Sequence, residues 1–91
     1  MITNVDSMRS ETLQSDLASY IKTKILFDEK QHIGAEQSLL GTGILDSTGI
    51  LELVSFIEEH YALKFHDEEL IGENFDTIAR IAAIIQKKSN N

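Results

Sequence analysis

The 91-residue chain has no cysteine, which excludes a disulfide framework and any thiolate metal site. Proline is also absent, although average usage would put about four or five in a chain of this length. That absence suits a helical chain, since proline breaks helix interiors. Tryptophan is missing too, and the aromatics amount to four Phe and two Tyr. The core must therefore be aliphatic, built mainly from Ile and Leu. No apolar run approaches the roughly 18–20 residues needed to span a bilayer, and residues 1–10 lack the apolar centre of a signal peptide. Basic residues are scarce, eight against fifteen acidic ones, for a net charge of −7. This balance argues against nucleic acid and against an anionic membrane surface, both of which call for a basic face. Partners with basic patches are the natural expectation.

With 42% hydrophobic residues and a mean hydropathy of −0.13, the composition suits a globule rather than a disordered acidic tail. The expectation is a single cytoplasmic, monomeric domain over residues 1–91, with residues 1–7 loosely ordered and 88–91 frayed. Leu13, Leu17, Tyr20/Ile21 and Ile25 recur at helical spacing, predicting an amphipathic helix over residues 8–27 with Ser7 or Ser10 as its cap. Residues 28–46 contain three glycines and no sustained period. A stretch of that length in so small a domain is usually functional or pinned down, and Leu39, Leu40, Ile44 and Leu45 are the residues able to pin it.

The next helix is the clearest element. Ile50, Leu53/Val54, Ile57 and Tyr61 share one face, while Thr48, Glu52, Ser55 and Glu59 form a polar stripe opposite. Leu51 and Phe56 sit at the margins of that stripe. After it, Asp67 is expected to cap a short helical turn that Gly72 ends. Asn74 or Asp76 is expected to cap a last helix whose Ile78, Ile81/Ala82 and Ile85 face inward. The fold class is all-α: a small four-helix bundle of three main helices and one short one. Between residues 46 and 76 nine acids face Lys64 alone, so this segment nets −8 and the remainder is slightly basic.

Little in the chain is equipped for catalysis. His32, His60 and His66 form no i, i+3 or i, i+4 pair, so no metal site is expected. A calcium loop starting at Asp46 fails because Ile50 stands where an oxygen ligand is required. Ser47 has no G-x-S-x-G elbow, and Gly41-Thr42-Gly43 lacks the lysine and spacing of a phosphate loop. No catalytic residue is expected. What remains is Asp46-Ser47 at a helix start, where either residue is a good cap, worth about 1 kcal/mol.

The residues that follow carry more. Asp46-Ser47, Glu52-Leu53-Val54, Glu58-Glu59 and Tyr61, then "DEEL" at 67–70 and "NFDTIARIAAII" at 74–85, occur in order. Over roughly residues 38–85 this set resembles acyl carrier proteins and the related peptidyl carrier domains. The resemblance implies that Ser47 bears 4′-phosphopantetheine, attached by a phosphopantetheinyl transferase, with Asp46 assisting the loading. It implies a non-enzymatic carrier that holds acyl or aminoacyl groups as thioesters for activating and condensing enzymes. Their basic patches would dock on Glu52, Glu58, Glu59, Asp67, Glu68 and Glu69, with Thr48, Leu51 and Ser55 beside them. The family's usual Leu after the serine is Thr48 here, and Gly49 follows it; Asp-Ser-Thr-Gly looks more like stand-alone carriers of specialised pathways. The alternative is an unmodified acidic helical interaction module.

Overall fold

The computed structural model describes residues 9–89; Ser7 and the N-terminal residues expected to be loose lie outside them. Among the described residues the regular structure is entirely helical. Helix α1 spans Ser10–Tyr20 and runs on into a wider π turn, Ile21–Ile25. Helix α2 spans Ser47–His60. A single 3₁₀ turn, Asp67–Glu69, and a short α3, Gly72–Phe75, lead to α4, Ile78–Ser89. The expected four-helix plan is thus observed, with its short third element divided between a 3₁₀ turn and α3.

The first helix follows its predicted face but differs at both ends. Ser10 is the first helical residue rather than the cap. Near the other end Thr23 Oγ1 donates to the Ser19 carbonyl at 2.8 Å, a back-bond of the kind that bends helices. The Leu26 N–H then reaches back five residues, to the Ile21 carbonyl, at 2.8 Å. Phe27 leaves the helix at φ 54°, a left-handed conformation that a bulky side chain seldom adopts.

Leu13 and Leu17 from α1 and Ile21 from the π turn meet Leu53 and Ile57 from α2 and Ile78, Ile81 and Ile85 from α4, all essentially inaccessible to water. Each such side chain contributes about 1.5–3 kcal/mol by leaving water. Leu39 and Leu45, outside any helix, are as deeply buried as the helical residues. They are the pins that the long loop requires, whereas Leu40 remains exposed and Ile44 half-buried. The loop is tied further where the Ala79 N–H donates to the Ala35 carbonyl at 2.9 Å and the Leu39 N–H to the Asp76 carbonyl at 2.6 Å.

The α1–α2 contact is aromatic. Tyr20 stacks on Phe56 with ring centroids 3.9 Å apart, and His60 stacks on Phe56 at 4.9 Å. The Tyr61 hydroxyl donates to Asp16 Oδ2 at 3.2 Å. Burial, and then the charge and hydrogen bond of Asp16, raise the Tyr61 phenol far above its ordinary value. A raised tyrosine stabilises the fold fully below pH 10, and that contribution is lost as the pH climbs above it.

Three expected caps are corrected. His66, not Asp67, precedes the 3₁₀ turn, and its N–H donates to Glu69 Oε1 at 2.7 Å. Gly72 opens α3 instead of ending a helix. Thr77 caps α4, because its Oγ1 accepts the Arg80 N–H at 3.1 Å; Asn74 lies inside α3 and Asp76 turns its carboxylate to the long loop. Helix α4 runs to Ser89. Lys88 Nζ bonds Glu69 Oε1 at 2.8 Å and lies 5.4 Å from the centre of the Phe65 ring. Residues 90–91 lie outside the described residues.

Candidate functional site

The start of α2 is built by a division of work between two adjacent residues. Asp46 holds extended backbone, and its Oδ1 accepts the Gly49 N–H at 2.8 Å. Its carbonyl accepts the Ile50 N–H at 3.0 Å, the first bond of the helix. Asp46 is therefore the cap. Ser47, the first helical residue, is exposed, and its hydroxyl has no hydrogen-bond partner among the described residues. Two candidates for one capping role are thus separated by geometry.

Gly49 explains one of the departures in the motif. It is buried, and a Cβ there would lie 3.1 Å from Leu45 Cδ2 and 3.5 Å from Asp46 Oδ1. The missing side chain lets Leu45 press against the first turn of α2, seating the loop directly before Ser47. The approach to the site turns at Gly43, whose φ of 79° suits glycine and few other residues. Thr48 is exposed on the outer side of the same turn.

Beside Ser47 lies a mainly apolar groove of about 260 Å³. It is lined by Ser47, Ile50, Leu51 and Val54 of α2, by Leu70, Ile71, Gly72 and Phe75 of the later segment, and by Leu40 of the loop. Leu51 is 61% exposed at its rim. The residues of this groove other than Ser47 and Leu51 were not legible as a site, since Leu40, Leu70 and Ile71 follow no periodic pattern with α2.

The acidic residues divide into two groups. Glu52, Glu59, Asp67 and Glu68 are exposed, as is Ser55 between the first two. Glu58 is half-buried, and its Oε2 accepts the Phe65 N–H at 3.0 Å, tying the end of α2 to the following loop. Glu69 is held by Lys88 and by the His66 N–H. These bonds, the Lys88 one first, lower its pKa below the ordinary carboxylate value. The negative field therefore combines freely exposed carboxylates with two that also brace the fold.

Among the described residues no cluster of three His, Asp or Glu side chains could hold a metal ion, and no helix is long and apolar enough to cross a membrane. The described residues thus form a small helical bundle that exposes the Ser47 hydroxyl at a helix start, next to an apolar groove. No family model matches the chain. It is 29% identical over 75 residues to a probable acyl carrier protein, PigG, of Serratia sp., a match covering 82% of this chain and 86% of that protein. The chain is thus similar to an acyl carrier protein over most of its length, and its all-helical fold agrees with that likeness.

Proposed function

We propose that this chain is a carrier whose Ser47 hydroxyl is the attachment point for 4′-phosphopantetheine. The observation that supports this most is the capping by Asp46, which leaves Ser47 exposed and uncommitted. The residues present fit the group. A phosphodiester on Ser47 Oγ would stand at the N-terminus of a 14-residue helix, where unpaired amides and the helix dipole favour negative charge. When bound, the group supplies the terminal thiol that this cysteine-free chain lacks, and with it thioester attachment of acyl or aminoacyl cargo.

The chain's own part is to present, shelter and be recognised. Asp46 keeps the first turn of α2 in place and stands beside the hydroxyl during loading, where its carboxylate assists the transferase and its magnesium. The groove lined by Ile50, Val54 and Phe75 gives an apolar cargo a surface out of water. Exposed Glu52, Glu59, Asp67 and Glu68, with Thr48, Leu51 and Ser55 among them, offer the docking face for basic patches on the transferase and on activating and condensing enzymes. Glu58 and Glu69 add charge to that face from fixed positions. The setting is cytoplasmic biosynthesis of fatty-acid, polyketide or nonribosomal-peptide type.

Intact-mass measurement after incubation with coenzyme A and a broad-specificity phosphopantetheinyl transferase tests the reading. Wild type gains one phosphopantetheine and Ser47→Ala gains none; wild type left unmodified refutes it. If charge reversal at Glu52 and Glu59 abolished binding of a basic protein while Ser47→Ala had no effect, the chain would instead be an unmodified interaction module.

A further inference from the structure

Asp76 does not serve the helix it precedes. Thr77 caps α4, so the Asp76 carboxylate is available to the long loop, which lies 36 to 38 residues earlier in the chain. Ser38 Oγ donates to both of its oxygens, at 2.8 and 2.9 Å, and the Leu40 N–H donates to Oδ1 at 3.2 Å. The Asp76 carbonyl adds the Leu39 N–H at 2.6 Å.

From this anchor the order passes towards the site. Ser38 Oγ accepts the Gly41 N–H at 2.8 Å, and the Ser38 carbonyl accepts the Thr42 hydroxyl at 2.6 Å. The Leu45 N–H closes the loop onto the Leu39 carbonyl at 3.0 Å, and Leu45 packs beneath Gly49 in the first turn of α2. The same anchor bears on the groove. Leu40, held through its N–H, lies against Gly72, where a Cβ would stand 3.8 Å from Leu40 Cδ1. Phe75, the residue before Asp76, lines the same groove.

We infer that Asp76 is a positioning residue for Ser47: its carboxylate clasps residues 38–42 to the α3–α4 junction and so holds the loop that presents the serine and lines the groove. The inference rests on the tether reading of Ser47. Without the clasp, Leu39 and Leu45 still anchor the loop, but the segment between them samples other arrangements. A partner that needs the ordered arrangement then binds with an affinity reduced by its population, while the step on the bound serine is unchanged.

Initial rates of loading by a broad-specificity transferase with coenzyme A, measured on the full chain well below each variant's melting temperature, test this. Asp76→Ala and Ser38→Ala should each raise KM for the carrier about tenfold and leave kcat within twofold, and the double variant should be no worse than Asp76→Ala. Asp76→Asn keeps an oxygen acceptor and should stay within about threefold of wild type. Hydrogen exchange at the Leu40 and Gly41 amides should quicken at least tenfold in Asp76→Ala. Thr77→Ala, which weakens the same junction without touching the clasp, should melt lower yet load at the wild-type rate. Asp76→Ala loading within twofold of wild type, or Thr77→Ala slowing as much as Asp76→Ala, overturns the inference. If Asp76→Ala does not fold, Ser38→Ala carries the same expectation from the loop side. Wild type that never loads refutes the tether reading and this role with it; equal loading of wild type and Asp76→Ala removes the positioning role alone.

Discussion

Replacing Asp46 and Ser47 one at a time by alanine separates capping from tethering. Asp46→Ala removes the 2.8 Å bond from the Gly49 N–H and leaves that amide, in a buried glycine, without its acceptor. Loss of an Asp cap costs about 0.5–2 kcal/mol, typically near 1. Loss of a negative charge at a helix N-terminus is a further 0.3–1 kcal/mol or so at low salt. The combined expectation is about 1–2 kcal/mol. Ser47→Ala removes an exposed hydroxyl with no assigned bond and puts a better helix former at the first helical position, so its stability change should lie within about 0.5 kcal/mol of zero. Urea unfolding followed by helical circular dichroism reads both. In a domain of this size 1 kcal/mol moves the melting temperature by about 4–8 °C, well within resolution. Asp46→Asn should retain most of the wild-type stability, because Asn caps about as well as Asp. An Ser47→Ala variant as unstable as Asp46→Ala would refute the division of work. Ser47 would then be a structural residue, and its loss of loading would have an ordinary explanation.

Other expectations follow from the same structure. Leu39→Ala should cost about 2–5 kcal/mol despite lying in a loop, because the side chain is fully buried; a loss under 1 kcal/mol in urea unfolding would show that the loop is not pinned there. Glu69, held by Lys88 with its pKa lowered, contributes stability above its ordinary range that is lost as the pH falls through its folded value. The stability gap between wild type and Lys88→Met should therefore narrow from pH 6 to pH 3, and a constant gap would exclude the pair as its source. If docking is electrostatic, Glu52→Lys with Glu59→Lys should slow transferase loading, and added salt should slow the wild type. Loading rates unchanged between low and moderate ionic strength would count against an acidic docking face.

Much of this protein was written in local pattern. The inward faces of α1, α2 and α4 follow from residues at i, i+3 and i+4, because a helix aims those side chains in one direction whatever surrounds it. The all-helical class, the acidic segment and the candidate serine were legible for the same reason, since each depends on neighbours in the chain. What needed the tertiary structure were choices between equivalent local options. Asp46 and Ser47 are both good caps, and only the backbone entering α2 determines which side chain meets the Gly49 amide. Asn74 and Asp76 were the expected caps of α4, yet Thr77 captured its first turn while Asp76 turned to Ser38. Gly72 reads as a helix end in isolation, yet it opens α3 against Leu40. Even the odd Gly49 became intelligible once Leu45 was seen packed on it. Hydrogen bonds and close approaches between distant segments leave no periodic trace, so they depend on where the core brings the chain back to itself.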